Sequence, residues 1–287
     1  MIERTNQQIS AEQRAAFEAD GVVMVEQAID DEWIERLLTV ADRELATPGT
    51  WVTDTNPGSS VDRLVTTRYL WRHDPTIRDF VFHSGIAGLV GDLLDASSLR
   101  FYFDHTLVKE PGTTAPTPWH QDIPYWPFLG RQIASAWVAL SSATVAESAL
   151  EFVRGSHRWG AYYAPRSFDG TSGWTSDFEG EPVPDIEATR ADHDIIGFDV
   201  QPGDAVIFSA WMLHGAPGNA GSQRRAAIST RWLGDDASWA PHPGCDPTVT
   251  QHDVTVDPGA YPADDDRFPT VWTRPEAGLH QSRRLPG

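Results

Sequence analysis

The chain from Leu99 onward is a succession of short apolar and β-branched runs separated by turns rich in Gly, Pro and Asn. Such runs, bounded by turn residues, predict strands. Many short antiparallel strands in one region are typical of a sandwich or a jelly roll. The predicted strands cover residues 99–109, 133–141, 149–154, 195–200, 205–213 and 226–233.

The residues before Leu99 instead predict helices around one short strand at residues 21–25. Ser10 and Gln13 have the spacing of a capping box, and Asp30 is placed to cap a second helix. In that second helix the apolar residues recur at helical spacing, which indicates one buried face. We expect these helices to buttress the predicted sheet.

The composition fits one mainly β domain with flanking helices. At 287 residues and 40% hydrophobic content, the chain can bury a substantial core. We expect a single domain over residues 1–287, made of a helical part (about 1–98), a β core (about 99–235) and an irregular tail (about 236–287).

The charge balance excludes some partners. The chain has 22 Lys and Arg against 41 Asp and Glu, a net charge of -19. Nucleic acids and anionic membranes need a basic surface, so we expect neither as a partner. The lone Cys245 excludes an internal disulfide framework, and the first residues contain no apolar signal segment. We therefore expect a cytoplasmic protein that acts on a small molecule.

A His-x-Asp pair, His120 and Asp122, lies on a segment predicted to be extended. Because strand side chains alternate with period two, both side chains point to the same face. A third candidate ligand, His214, lies at the end of a later predicted strand. Two histidines and one carboxylate that leave three positions open are the ligand set of non-haem Fe(II) oxygenases. The sequence therefore predicts a metal site formed by His120, Asp122 and His214, with room for a keto acid and dioxygen.

An arginine follows at an informative distance. Arg225 comes eleven residues after His214, past a Gly, Pro and Asn-rich turn, in a run that could return beside the strand of His214. A planar guanidinium takes a carboxylate in two parallel hydrogen bonds, so it suits the far end of a metal-chelating dicarboxylate. Such a dicarboxylate is 2-oxoglutarate. Strand alternation turns the neighbouring Arg224 away from the site.

Four segments in this order resemble the phytanoyl-CoA dioxygenase-like family of Fe(II)/2-oxoglutarate-dependent oxygenases. They are Trp119-His120-Gln121-Asp122-Ile123-Pro124-Tyr125-Trp126-Pro127, Ser135-Ala136-Trp137-Val138-Ala139-Leu140, Arg154-Gly155-Ser156-His157 and the block from His214 to Arg225. The resemblance runs from about Gly21 to about Trp232. It implies a double-stranded β-helix (jelly-roll, cupin-like) core buttressed by the N-terminal helices.

The same resemblance implies roles for particular residues. His120, Asp122 and His214 would bind Fe(II), Arg225 would hold the C5 carboxylate of 2-oxoglutarate, and Trp137 would line the cosubstrate pocket. The implied reaction uses dioxygen to hydroxylate a C–H bond of a small organic molecule and releases succinate and CO2, with ascorbate as an accessory reductant. A carboxylate at position 122 argues against halogenation, for which related enzymes carry a small residue there.

The strand over residues 101–109 has two faces, and the resemblance places one of them in the pocket. We expect this to be the mixed polar face, with Thr106 near the cosubstrate and with Tyr102 and Asp104 near the substrate. The other face would meet the helices, and His105 on it would be a hydrogen-bonded core histidine. Further substrate-contacting residues are expected among the aromatic side chains Tyr125, Trp126 and Trp211. Few basic residues are expected near this pocket, which mildly disfavours coenzyme A esters as substrates.

Two long polar segments could cover the pocket. Residues 159–193 and the tail after residue 236 are rich in Gly, Pro and Asp, and loops of this length are commonly lids or irregular insertions. Trp174 and Phe178, two large apolar side chains in a polar segment, favour a lid in the first of them.

Two other classes of protein are compatible with parts of this pattern. A cupin-like Zn or Mn enzyme, a hydrolase or an isomerase, would share the barrel and the ligands but would not need Arg225. A non-catalytic jelly-roll binding protein would keep the core and could lose the three ligands. The intact set of ligands together with Arg225 favours the oxygenase.

Overall fold

The computed structural model describes residues 7–165 and 180–275. Its four α-helices all precede the β core: α1 (Ala11–Asp20), α2 (Asp31–Ala46), α3 (Pro75–His83) and α4 (Ile86–Leu94). The predicted caps are confirmed, because the side chains of Ser10 and Asp30 accept backbone N–H groups of the first turns of α1 and α2. No described helix is long and apolar enough to cross a membrane.

The strands form two facing antiparallel sheets and a two-stranded ribbon. The strands are β1 (Val22–Val25), β2 (Val52–Asp54), β3 (Leu64–Arg68), β4 (Ser98–Lys109), β5 (Thr117–His120), β6 (Phe128–Leu129), β7 (Ile133–Ala139), β8 (Glu151–Val153), β9 (Ile195–Gly197), β10 (Ala205–Ser209), β11 (His214–Ala216), β12 (Arg225–Leu233), β13 (Ser238–Trp239) and β14 (Thr270–Thr273). The larger sheet has the order β1-β10-β7-β12-β4-β3-β2, with β14 also paired to β4, and the smaller sheet has the order β5-β11-β8-β9. The ribbon pairs β13 with β6. The predicted mainly β jelly roll is confirmed.

The helices cover one face of the larger sheet. Trp33 and Phe80 of the helices pack in one cluster with Val138, Ile207 and Ile228 of the sheet, and all five side chains are buried. Burial of such apolar area is the main contribution to stability, at about 25 cal/mol per Å². The other face of the larger sheet is turned toward the smaller sheet, and this is where the cavity described below lies.

Three strands of the larger sheet, and β13 of the ribbon, come from parts of the chain that were predicted to be helical or irregular. β2 and β3 come from the N-terminal part that was predicted to be helical apart from one strand, and they extend the larger sheet beyond β4. β14 comes from the tail that was predicted to be irregular, and it pairs with the start of β4. These strands are short and carry Thr and Arg rather than a continuous apolar run, so the sequence gives a weak strand signal there.

Candidate active site

A cavity of about 290 Å³ lies between the two sheets. The smaller sheet and the turn after β5 contribute His120, Asp122 and His214 to its wall. The larger sheet contributes side chains from β3, β4, β7 and β12. All three predicted metal ligands therefore face one enclosed space.

The pairing of β5 with β11 brings the two histidines together. His214 is directly opposite His120 in the register, and the centroids of their rings are 4.2 Å apart. Asp122 follows β5 by two residues, and its Oδ1 lies 3.7 Å from Nε2 of His120 and 4.0 Å from Nε2 of His214. Metal–ligand bonds of about 2.1 Å at right angles would place neighbouring ligand atoms about 3 Å apart. The three ligand atoms are thus slightly farther apart than they would be around a bound ion.

Backbone carbonyls fix the tautomer of both histidines. Nδ1 of His120 is 2.7 Å from the carbonyl oxygen of Pro118, and Nδ1 of His214 is 3.0 Å from that of Met212. A carbonyl can only accept, so each Nδ1 must carry the proton and donate it. Nε2 of each ring is then the atom available as a metal ligand, and it lies within 4.0 Å of Oδ1 of Asp122.

Burial keeps His214 neutral, and the surrounding charges keep Asp122 ionised. Burial, then the proximity of His120, lowers the pKa of His214 to about 3. Burial opposes ionisation of Asp122, but the charge of Arg231 holds the pKa of Asp122 below its ordinary value. Ser135 on β7 donates a hydrogen bond of 2.6 Å to Oδ2 of Asp122, which leaves Oδ1 facing the histidines. Two neutral imidazoles and one carboxylate fit a divalent first-row metal.

Arg225 lies at the far end of the cavity wall. It begins β12, is 2% exposed and lines the cavity together with Trp137, whose ring centroid is 5.5 Å from the guanidinium carbon. Its Nε and Nη1 have no hydrogen-bond partner among the described residues. An unpaired buried guanidinium is costly, so this one is best explained by a ligand carboxylate.

The neighbouring Arg224 points the other way, as strand alternation predicted. Its guanidinium binds Glu110 and Asp42 outside the cavity. The register of β12 is thereby fixed independently of any assumption about the site.

The predicted substrate residues divide into two groups. Tyr125 and Trp126 line the cavity, as does Trp137. Trp211 lies outside the described lining, where its indole N–H donates to the carbonyl oxygen of Gly130 at 2.7 Å.

The predicted orientation of β4 is wrong. Tyr102, Asp104 and Thr106 are absent from the described lining, whereas Phe103, His105 and Leu107 belong to it. Asp104 accepts backbone N–H groups of a one-turn helix at residues 70–72, and Thr106 is in register with Ile228 on the helix-covered face. Asp104 thus holds backbone in place and does not line the pocket.

His105 was predicted to be a hydrogen-bonded core histidine, and the structure corrects this. It lines the cavity, its Nε2 has no hydrogen-bond partner among the described residues, and burial lowers its pKa well below the ordinary value. It lies in one cross-strand row with Arg68, Ser229 and Trp137, on the face turned toward the metal ligands.

Arg68 and Arg231 line the cavity with Arg225, and neither was predicted from the sequence. The expectation of few basic residues near the pocket is therefore wrong. Arg231 could have been found, because residues 225, 227, 229 and 231 share one face of a strand. Arg68 could not, because its strand was not predicted.

The predicted lid over residues 159–193 lies partly outside the described residues. Residues 166–179, which include Trp174 and Phe178, lie outside them. From the tail, Asp246 lines the cavity.

A sequence model of the phytanoyl-CoA dioxygenase (PhyH) family matches residues 17–227. The chain belongs to this family. Among curated relatives, a probable phytanoyl-CoA dioxygenase of Caenorhabditis elegans is 25% identical over 245 residues, which are 79% of this chain and 76% of the relative.

Two solved structures have a similar fold. The carbocyclase SnoK, described as a non-haem alpha ketoglutarate-dependent enzyme from nogalamycin biosynthesis, matches with a TM-score of 0.71 and 23% identity over 92% of this chain and 97% of its own. The epimerase SnoN in complex with Fe3+, alpha ketoglutarate and nogalamycin RO matches with a TM-score of 0.66 and 25% identity over 91% of this chain and 98% of its own. Proteins of this fold thus include one described as a carbocyclase and one described as an epimerase.

Proposed function

We propose that this protein is an Fe(II)- and 2-oxoglutarate-dependent dioxygenase that hydroxylates an unactivated C–H bond of a small organic molecule. The observation that carries the proposal is one cavity that holds three convergent ligand atoms and, on the wall formed by the larger sheet, a buried arginine whose Nε and Nη1 have no partner among the described residues. A hydrolytic Zn or Mn enzyme has no use for that arginine. A binding protein without catalysis has no use for the ligands. In this proposal residues 1–287 act as one domain.

His120, Asp122 and His214 would hold the metal, and Arg225 would orient 2-oxoglutarate by its C5 carboxylate. When bound, Fe(II) with 2-oxoglutarate and dioxygen supplies the oxidising power, and succinate and CO2 are released. Ser135 keeps the Asp122 carboxylate in the orientation that serves the metal. Trp137 covers the guanidinium of Arg225 and, like the buried walls around it, excludes water. Tyr125 and Trp126 provide apolar surface for substrate.

The test is turnover with a panel of candidate substrates in the presence of Fe(II), 2-oxoglutarate, ascorbate and 18O-labelled dioxygen. Hydroxylation predicts succinate release together with a product that gains one labelled oxygen atom. A product of unchanged mass would indicate epimerisation, and loss of two hydrogens would indicate desaturation or ring closure. Either result would support the assignment as an oxygenase and contradict the assignment of the reaction as hydroxylation. Turnover without dioxygen and 2-oxoglutarate would overturn both.

A further inference from the structure

Two arginines in the cavity have no ligand assigned to them so far. Arg231 on β12 and Arg68 on β3 both line it, and Arg231 is 6% exposed. Arg231 lies six residues beyond Arg225 on the same strand, about 20 Å away at roughly 3.3 Å per residue. The carboxylate that meets Arg225 therefore cannot also meet Arg231.

Arg231 is held in place but is not paired. Its guanidinium carbon lies 4.9 Å from the ring centroid of Phe103 and 5.8 Å from that of Trp126. Contacts with ring faces stabilise the charge without accepting a conventional hydrogen bond. Nε and Nη1 of Arg231 have no partner in the part of the chain that the structure describes. Arg225 has the same two unpartnered atoms, but only Arg231 is also acted on by the charges of Asp122 and Asp104.

Arg68 is arranged to act with Arg231. It is directly opposite His105 in the β3–β4 register, and His105 is opposite Ser229, two residues before Arg231 on the same face of β12. No ion pair or side-chain hydrogen bond of Arg68 is found within residues 7–165 and 180–275. The unpartnered Nε2 of His105 and Oγ of Ser229 lie between the two arginines in this register.

The carboxylates around Arg231 are hydrogen-bonded to other groups. Asp122, whose charge acts most strongly on Arg231, accepts the hydroxyl of Ser135 and faces the two histidines. Asp104 accepts the backbone N–H groups of Leu70 and Trp71, and Asp246 accepts the hydroxyl of Tyr69 at 2.9 Å. Neither carboxylate forms an ion pair with Arg68 or Arg231 in the described ranges. Their negative charges would nevertheless repel a dianion more than a monoanion.

We propose that the substrate carries a carboxylate, and that Arg231 and Arg68 bind it inside the cavity beside the metal site. Arg231 is in register with Ser135, whose hydroxyl binds Asp122. The carboxylate would therefore be close to the carbon that reacts. The inference rests on the proposed function, because the cosubstrate occupies Arg225 when the substrate binds.

The test measures binding of matched acids and amides by anaerobic calorimetry to protein already saturated with Fe(II) and 2-oxoglutarate. The probe pairs are benzoate and benzamide, phenylacetate and phenylacetamide, and indole-3-acetate and indole-3-acetamide, with phenyl phosphate as a second anion. We expect at least one acid to bind tenfold or more tightly than its amide. Arg231→Gln and Arg68→Gln should each remove about tenfold of that preference.

The controls separate this inference from the proposed function. Arg224→Gln, outside the cavity, should leave the acid preference unchanged. The affinity for 2-oxoglutarate, titrated separately into each Fe(II)-loaded variant, should change less than threefold. If Arg231→Gln does not fold, the wild-type preference and the half-buried Arg68 decide the result.

Four outcomes would overturn the inference: no acid preference in the wild type, a preference unchanged in the arginine variants, a parallel loss of 2-oxoglutarate binding, or tighter binding of phenyl phosphate. The third would make Arg231 a cosubstrate residue, and the fourth would indicate a phosphomonoester substrate. Failure of wild-type protein to bind 2-oxoglutarate at all would instead contradict the proposed function.

Discussion

Replacing Arg225 by lysine is expected to weaken 2-oxoglutarate binding for two reasons that the structure separates. The first is geometry, because an ammonium cannot make the two parallel hydrogen bonds of a guanidinium. A hydrogen bond to a charged group is worth about 1.5 to 3 kcal/mol, and each 1.4 kcal/mol is tenfold in affinity. This alone predicts a dissociation constant that rises about 10- to 150-fold.

The second reason is burial, and the lowered pKa of Lys109 shows how strongly burial acts at this place in the sheet. Lys109 is directly opposite Arg225 in the register, and burial, then the charge of Arg225, lowers the pKa of Lys109 to about 6. The guanidinium of Arg225 stays charged, since burial lowers its pKa only to about 10. Burial would lower the pKa of an amine at position 225 in the same direction, so its positive charge would be weaker near neutral pH than that of the guanidinium. We therefore expect the upper end of the range, with affinity for 2-oxoglutarate improving as the pH falls toward 6.

The assay is an anaerobic titration of 2-oxoglutarate into Fe(II)-loaded protein, followed by the visible absorption of the iron chelate. Arg224→Lys is the matched control and should stay within about twofold of wild type, because Arg224 binds Glu110 and Asp42 outside the cavity. An Arg224→Lys variant weaker than Arg225→Lys would refute the assignment of the cosubstrate site. So would an Arg225→Lys variant that binds like wild type.

Three further changes test the surroundings of the site. Ser135→Ala removes the 2.6 Å hydrogen bond to Asp122 and should weaken Fe(II) binding about 10- to 100-fold in a competition titration, and unchanged affinity would show that Asp122 needs no support. Asp122→Glu displaces the carboxylate by about 1 Å and should lower turnover on the order of a hundredfold, with 2-oxoglutarate consumed without matching product. Lys109→Met removes a buried amine whose pKa is lowered to about 6 by burial and then by Arg225. Since an unfolded lysine holds its proton to about pH 10.4, the wild type should gain stability as the pH rises from 6 to 10, and Lys109→Met should lose this dependence in denaturant titrations.

The parts of the site that were predicted from the sequence are those fixed by spacing along one segment. His120 and Asp122 are two residues apart, and Arg225 follows His214 by eleven. The helix caps at Ser10 and Asp30 were likewise predictable, because a cap depends on residues within one turn.

The orientation of β4 was not predictable, because alternation gives two faces without saying which one is covered by helices. A polar face suggested a pocket, but the carboxylate of Asp104 serves backbone N–H groups at residues 70 and 71. The strand is also irregular, since the register with β12 shifts between Thr230 and Trp232, opposite Tyr102 and Phe103. The row that joins Arg68 to His105 depends on pairing between distant strands, which no local pattern reveals.

The central claim is that His120, Asp122 and His214 form an iron site that consumes 2-oxoglutarate with dioxygen. The most direct measurement compares succinate release by wild type and by His214→Ala. Each protein is assayed with Fe(II) or Zn(II), in the presence and in the absence of dioxygen. Circular dichroism checks that the variant is folded. The account predicts release only by wild type with Fe(II) and dioxygen, while His214→Ala stays folded and loses bound iron. Equal release by folded His214→Ala, or turnover by the Zn(II) protein without dioxygen, would contradict it.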